Sequence, residues 1–392
     1  LLDALARTGF STPTPIQAQS IAPQMAGRDI LGVAQTGTGK TAAFGLPILH
    51  QILAMPGKAS PKACRALILA PTRELAVQIE ASFKQFAGGA KLTTLLILGG
   101  MSRNNQIRML GRGVDVVVAT PGRLIDLMDD KAIRLDETKF VVLDEADRML
   151  DMGFIKPVQK IVARLHPRRQ SALFSATMPP EVQKLAETLL KDPVRVSVTP
   201  EVMTVEKIEQ RVELVDTGAK RARLAELIGD PEVDRVIVFA RTKRGADRVA
   251  QNLGKDGIAA ESIHGNKAQN ARQRALNAFR SGQVRVLVAT DIVARGIDVP
   301  GVTHIINYDL PDEAESYVHR IGRTGRNGAA GTAITMCAND EIKKLRAVEK
   351  ITRTTLLEFA QASEGPRQRG AGKPQGAAAS KPGENTTRSA RA

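Results

Sequence analysis

Phe140-Val141-Val142-Leu143-Asp144-Glu145-Ala146-Asp147 runs four apolar residues straight into an acidic quartet. An uninterrupted apolar run of this length predicts a buried strand, so the carboxylates project from its carboxyl end, where open α/β sheets place their ligands. Asp144 is placed there to hold a magnesium ion through water, and Glu145 to orient or deprotonate an attacking water. An isolated Asp-Glu pair has a plainer explanation, a solvated acidic turn, so its weight depends on what stands upstream.

Upstream stands Ala34-Gln35-Thr36-Gly37-Thr38-Gly39-Lys40-Thr41, after an apolar run at 30–33 and before a helical pattern that starts at Ala42. Glycines let backbone N–H groups turn inward around phosphate oxygens. Lys40 adds a point charge at the β- and γ-phosphates, and the Thr41 hydroxyl can ligate magnesium. The first position is Ala where the general pattern has Gly. A Gly-rich turn without a ligand is the alternative, and the joint occurrence of loop and acidic quartet argues against it. Together they predict ATP hydrolysis.

At 392 residues the chain fits two domains of ordinary size. An apolar share of 43% allows real cores, whereas aromatics are scarce at 3% with no Trp. A formal charge of +15 favours a polyanionic partner, although a generally basic soluble surface would give the same figure. Cys64 and Cys337 stand far apart, outside any metal-ligand spacing, as in a reducing compartment. No apolar run reaches the roughly 18 residues of a membrane helix, and no signal-peptide pattern is visible. The expectation is a soluble cytoplasmic protein.

Short β-rich runs alternate with longer amphipathic ones, at 30–33, 66–70, 94–98, 114–119, 140–143, 171–174 and 194–198 in the first half. A second series lies at 211–215, 235–239, 259–263, 284–289, 304–307 and 332–336, with helical stretches such as 74–87, 180–190, 243–253 and 267–279 between runs. This alternation predicts βαβ units and parallel sheets. We divide the chain into a first domain at 1–202, a second at 207–360 and a tail at 361–392, with the linker at 200–206. Only the first domain carries a phosphate loop. The tail is rich in Gly, Ala, Pro and Arg, with six basic residues against two Glu, and is expected to be disordered. It would add non-specific RNA affinity or serve as a plain solvated extension.

With these motifs in place, the chain resembles the DEAD-box ATP-dependent RNA helicases, in wording closest to the bacterial RhlE-type branch. The resemblance runs from about Gly9 to Cys337. It starts with Phe-Ser-Thr-Pro-Thr-Pro-Ile-Gln at 10–17, like the family's adenine-reading motif. The phosphate loop follows, then Pro71-Thr72-Arg73-Glu74-Leu75, Gly99-Gly100, Thr120-Pro121-Gly122-Arg123, the acidic quartet and Ser175-Ala176-Thr177. Next come Val238-Phe239-Ala240-Arg241-Thr242, Ala289-Thr290-Asp291, Arg295-Gly296-Ile297-Asp298 and His-Arg-Ile-Gly-Arg-Thr-Gly-Arg at 319–326.

The resemblance implies two tandem RecA-like domains, each a mainly parallel sheet flanked by helices, with ATP and Mg2+ in the cleft between them. Phe10, Gln17, Gln35, Thr36, Gly37, Thr38, Gly39, Lys40, Thr41, Gly296, Asp298, Arg323 and Arg326 would bind ATP. Gln17 carries an amide suited to the N6 and N7 edge of adenine. Lys40, Asp144, Glu145, Arg323 and Arg326 would be catalytic, the two arginines acting as fingers on the γ-phosphate once the domains close. Thr41 and Asp144 would hold the metal. Asp147, Ser175, Thr177 and His319 would couple hydrolysis to strand separation. RNA would meet Thr72, Arg73, Gly100, Thr120, Gly122 and Arg123 in the first domain, and Arg241, His264, Gly265 and Thr290 in the second. Such contacts engage the backbone and read little sequence. Taken singly, Asp298 also reads as a helix cap, Ser175 and Thr177 as a polar strand-end turn, and His319 as a structural histidine. The implied activity is RNA-dependent ATP hydrolysis with local unwinding of short duplexes. An ATP-gated RNA clamp and a DNA-translocating helicase are the alternatives, and the motif at 10–17 and the acidic quartet argue against the second.

Overall fold

The computed structural model describes residues 1–7, 9–35, 37–198, 208–291, 299, 301–325 and 330–356. The expected linker at 200–206 and the expected tail at 361–392 lie outside them, as do residues 357–360 at the end of the second domain. The first domain contains β1 (Ile30–Val33), β2 (Cys64–Leu69), β3 (Thr94–Ile97), β4 (Val114–Ala119), β5 (Phe140–Leu143), β6 (Gln170–Ser175) and β7 (Val194–Ser197). They form one sheet in the order β3-β4-β2-β5-β6-β1-β7, every pair parallel. Around it pack α1 (Leu2–Arg7), α2 (Pro15–Met25), α3 (Lys40–Ala54), α4 (Arg73–Ala87), α5 (Arg103–Leu110), α6 (Pro121–Asp129), α7 (Ala146–Asp151), α8 (Ile155–Val162) and α9 (Pro180–Leu189).

Strand β5 shows why the apolar run has no alternation. Val141 and Leu143 enter one core with Leu124 and Leu127 of α6 and Leu185 of α9, while Phe140 and Val142 enter another with Phe44 of α3 and Phe83 of α4. Both faces are covered, so every side chain is buried, each contributing roughly 1.5–3 kcal/mol. The acidic quartet can begin only where the helical layers end, at the rim.

The second domain repeats the plan with β8 (Ile208–Leu214), β9 (Val236–Phe239), β10 (Ala260–Ile263), β11 (Val286–Ala289), β12 (His304–Asn307) and β13 (Gly331–Cys337), parallel in the order β10-β11-β9-β12-β13-β8. Its helices are α10 (Lys220–Gly229), α11 (Lys243–Lys255), α12 (Gln269–Arg280), α13 (Ala314–Ile321) and α14 (Ile342–Thr352). β8 starts three residues before the apolar pattern suggested. It is an edge strand, and Ile208, Glu209 and Gln210 extend it by pairing with Gly331, Thr332 and Ala333 of β13. The ladder carries the strand through the polar pair Glu209 and Gln210 to Ile208, which is buried in the core.

Thr72 caps α4 by accepting from the Leu75 N–H at 3.3 Å, and Thr242 caps α11 by accepting from the Gly245 N–H at 2.9 Å. Each such cap stabilises its helix by about 1 kcal/mol. Among the described residues no helix is long and apolar enough to cross a membrane.

Candidate nucleotide site and domain interface

The first-domain motifs converge because each follows the carboxyl end of a parallel strand: the phosphate loop after β1, the acidic quartet after β5, Ser175-Ala176-Thr177 at the end of β6. Gly37 and Gly39 adopt left-handed φ values of 86° and 87°, which side chains disfavour, so the loop curls tightly into the start of α3. Lys40 is buried and arches back to donate to the Ala34 carbonyl at 2.9 Å. Two of its three N–H groups remain for phosphate oxygens. Thr38 donates to the Gln35 carbonyl at 2.8 Å, and Thr41 is half-buried one residue into the helix.

Gln17 ties the segment at 10–17 to this loop. Its Nε2 donates to the Gly39 carbonyl at 3.1 Å and its Oε1 accepts from the Thr14 N–H at 3.0 Å, while Thr14 Oγ1 donates to the Thr38 carbonyl at 2.8 Å. The amide keeps one further donor and one lone pair, the pair a base edge requires. Phe10 stands edge-on to Phe86 of α4, 5.7 Å between ring centres, and stays 40% exposed. It anchors the segment to the domain.

Asp144, Glu145 and Asp147 are all buried. Burial pushes the Asp144 carboxyl up to about 6, with Lys40 opposing the rise and the charges of Glu145 and Asp147 adding to it. A carboxylate crowded by like charges suits a divalent cation. Among the described residues no three His, Cys, Asp or Glu side chains form a direct metal cage. Magnesium needs none, because it keeps several waters and takes one or two carboxylates plus substrate phosphates. Thr41 and Asp144 therefore fit the role expected of them.

Glu145 has a left-handed backbone, φ 54° and ψ 56°, unusual for a residue with a side chain. Its N–H donates to Asp144 Oδ1 at 3.0 Å, and Arg148 Nη1 donates to its Oε2 at 2.8 Å. Asp147 is bound to the strand-end motif: its Oδ2 accepts from the Ala176 N–H at 3.1 Å, the Thr177 N–H at 2.8 Å and the Thr177 hydroxyl at 3.0 Å. Its own N–H donates to Ser175 Oγ at 3.0 Å, and that hydroxyl donates to the Thr177 carbonyl at 2.7 Å. Asp147, Ser175, Ala176 and Thr177 thus form one closed network.

In the second domain Arg323 is buried and donates from Nε to the His319 carbonyl at 3.0 Å, with His319 half-buried in the last turn of α13. Thr36, Gly296, Asp298 and Arg326 lie outside the described residues. Between them stands Arg320, which the motif reading passed over. It is fully buried, forms a bidentate pair with Asp291 at 2.6 and 2.8 Å, and donates to Asn307 Oδ1 and to the Asp309 carbonyl.

The two domains touch through residues that were likewise missed. Arg272 Nη2 of α12 lies 2.5 Å from Glu74 Oε2 of α4, a close ion pair without hydrogen-bond alignment. Gln269 bridges the same pair of helices, its Nε2 donating to Glu74 Oε1 at 3.4 Å and its Oε1 accepting from Arg73 Nη1 at 3.5 Å. One signal was available: Arg272 shares a helical stripe with the buried Ala275, Leu276 and Phe279, and a charge on such a stripe needs a partner.

The expected RNA residues divide by exposure. Gly100, Gly122, Arg241 and Gly265 are exposed, whereas Thr72, Thr120, His264 and Thr290 are buried. His264 Nε2 sits 2.9 Å from Asp247 Oδ2. Thr72 and Thr120 precede α4 and α6, whose first N–H groups suit phosphate oxygens. Arg123 donates to the Met101 carbonyl at 3.3 Å, and Arg73 lies over Gly99 and Gly100. At Gly100, with φ 79°, a Cβ would stand 2.8 Å from Arg73 Nη1.

The family model described as DEAD/DEAH box helicase matches residues 14–185, and that described as helicase conserved C-terminal domain matches 219–328. The chain belongs to the DEAD-box ATP-dependent RNA helicases, built on two RecA-like domains. It is 44% identical over 353 residues to DEAD-box ATP-dependent RNA helicase 30 of Arabidopsis thaliana, a match covering 90% of this chain and 60% of that protein. The chain therefore spans three fifths of that relative's length. The structure of Saccharomyces cerevisiae Dbp5 bound to RNA and ADP BeF3 is 32% identical, with a TM-score of 0.80 over 90% of both chains. A DEAD box protein from Methanococcus jannaschii is 37% identical but scores 0.53, over 90% of this chain and 94% of that one.

Proposed function

We propose that this chain is an RNA-dependent ATPase that separates short RNA duplexes locally as its two domains close. The observation that carries the reading is the joining of a buried phosphate-loop lysine and acidic quartet in one domain to the other through Glu74 and Arg272. Lys40 and the loop N–H groups hold the triphosphate, and Gln17 adds the adenine contact. Magnesium, when bound at Thr41 and Asp144, neutralises charge on the phosphate oxygens. Glu145 orients the attacking water through a carboxylate fixed on one side only. Arg323, with Arg326, neutralises charge on the transferred phosphoryl group after closure. Asp147 carries the state of the acidic quartet to Ser175 and Thr177. RNA lies across Arg73, Gly100, Gly122 and Arg123 in one domain and Arg241 and Gly265 in the other, held by its backbone. The same residues in the open arrangement lack the second domain's arginines, which explains the dependence on RNA.

We also place the chain in the bacterial RhlE-type branch, on the wording of its motifs, and in the cytoplasm, a setting supported by two buried, unpaired cysteines. The test is steady-state ATP hydrolysis with and without a single-stranded oligouridine, alongside Glu145→Gln. Strong RNA stimulation that disappears in the variant is expected. Turnover as fast without RNA would overturn the closure mechanism, and stimulated hydrolysis with long-lived RNA complexes but no strand separation would favour a clamp.

A further inference from the structure

We propose that Arg148 is a positioning residue for hydrolysis, holding the Glu145 carboxylate in the one orientation that presents Oε1 to the attacking water. The inference rests on the reading of Glu145 as the water-orienting carboxylate and adds a second residue to that step. Four observations carry it. Arg148 Nη1 donates to Glu145 Oε2 at 2.8 Å, and the two side chains are each only 7% exposed. Water therefore does not compete for the contact, as it does for ion pairs on the surface. The Glu145 backbone is held independently, its N–H donating to Asp144 Oδ1 at 3.0 Å and its carbonyl accepting from the Met149 N–H at 3.1 Å. With the backbone fixed in a left-handed conformation and Oε2 fixed by Arg148, the side chain is constrained at both ends. Oε1 makes no hydrogen bond among the described residues, which leaves it as the acceptor for a water.

The neighbouring cation cannot do this work. Lys40 is turned to the Ala34 carbonyl and acts on Asp144. Lys40 thus serves the metal-binding side of the quartet, and Arg148 contacts the water side through Glu145. The arrangement is seen with the two domains in contact through Glu74 and Arg272. Arg148 reaches Glu145 only because both lie on the turn into α7, three residues apart on one face.

The experiment uses the full chain with saturating ATP and oligouridine, comparing wild type with Arg148→Met, Arg148→Lys, Glu145→Gln and the Glu145→Gln/Arg148→Met double variant. A displaced general base or water-orienting group costs on the order of 100-fold in rate. Arg148→Met should lose about that much in kcat, with the KM for ATP and the half-saturating RNA concentration within about two-fold of wild type. Arg148→Lys keeps a cation and should recover part of the loss. The double variant should be no slower than Glu145→Gln alone, as the proposal has Arg148 act on hydrolysis through Glu145. Wild-type kcat in Arg148→Met, a loss confined to KM or RNA binding, or additive losses in the double variant would each overturn the proposal. A variant that fails to fold is recognised by lost circular dichroism and lost binding of a fluorescent ATP analogue, and Arg148→Lys and Arg148→Gln then decide the matter. Undiminished turnover in Glu145→Gln would remove the functional reading itself, an outcome distinct from any result at position 148.

Discussion

Replacing Arg320 with Met should unfold the second domain far more easily and leave the first untouched. The guanidinium is about 1% exposed and makes two bonds to Asp291, one to Asn307 Oδ1 at 3.1 Å and one to the Asp309 carbonyl at 2.6 Å. It also stacks over Phe239, 4.9 Å from the ring centre. Removing one partner of a buried pair costs about 3–5 kcal/mol, because the other charge stays behind unpaired. Asp291 keeps 24% of its side-chain exposure, so hydration recovers part of that and about 3 kcal/mol is the fitting figure. The two neutral acceptors lose a charged donor each, adding about 1 kcal/mol together, since Asn307 still donates to Thr335 Oγ1 at 3.0 Å. The methionine side chain fills most of the volume, so no cavity cost is added. A loss of about 4 kcal/mol is a large share of a domain's 5–15 kcal/mol. With a urea slope near 2 kcal/mol/M, the midpoint should fall by about 2 M. The assay is urea unfolding followed by circular dichroism. The first-domain transition, which shares no core residue with Arg320, is the internal control. A midpoint shift below about 0.5 M would refute the view that this network holds the motif helix in place.

Glu74→Gln leaves the buried Arg272 charge without its counter-charge only when the domains touch, so it should weaken ATP-dependent RNA binding by about 10-fold or more. Equal RNA affinity in the two proteins, by fluorescence anisotropy with a non-hydrolysable ATP analogue, would contradict this. Asp147→Asn weakens a charge-assisted tie to Ala176 and Thr177 by roughly 1.5–3 kcal/mol and should lower the number of strands separated per ATP hydrolysed. An equal fall in both activities would restrict Asp147 to hydrolysis. Burial pushes the Cys64 thiol up to about 12 and the Cys337 thiol up to about 11, so at pH 8 both are neutral and poor nucleophiles. Iodoacetamide should label neither in the native protein and both in denaturant, with native labelling rising only toward pH 11; rapid modification at pH 8 would show the thiols to be accessible.

The parts of this fold legible from sequence are those in which one stretch carries its own signal. The strands at Val114–Ala119, Phe140–Leu143 and His304–Asn307 have the expected bounds, because strands buried on both faces write themselves as apolar runs. Phosphate loop and acidic quartet were legible for a related reason: their chemistry needs fixed residue types at fixed spacing. Pairings between distant segments were not. Glu74 and Arg272 stand in different domains, and no periodicity links them. Arg320 was hidden by its own neighbours, since three arginines within seven residues, 320–326, read as a basic surface until Arg320 is seen to be buried against Asp291. Nor does the sequence place His264, just after β10, beside Asp247, 17 residues earlier.

The contact between domains has an energetic consequence of its own. Glu74 and Arg272 are hydrated when the domains part, and their side chains are 0% and 8% exposed when they meet. Burial opposes the Arg272 charge, Glu74 restores it, and Arg73 nearby adds repulsion, so the pair brings little net free energy to closure. Its worth lies elsewhere. Any docking of the domains that fails to bring Arg272 to Glu74 leaves a buried charge unpaired, a cost of several kcal/mol, so the pair selects one register of closure among many. That register decides where Arg323 stands relative to the phosphate loop. Arg73, beside the pair and tied to Gln269, lies over Gly99 and Gly100 on the proposed RNA path, so the register is set next to the RNA. Linkage then requires that whatever RNA contributes to closure through this contact return as affinity for nucleotide by the same factor. Under the proposed function no signal need travel through the sheets, because closure in one register satisfies both sites at once.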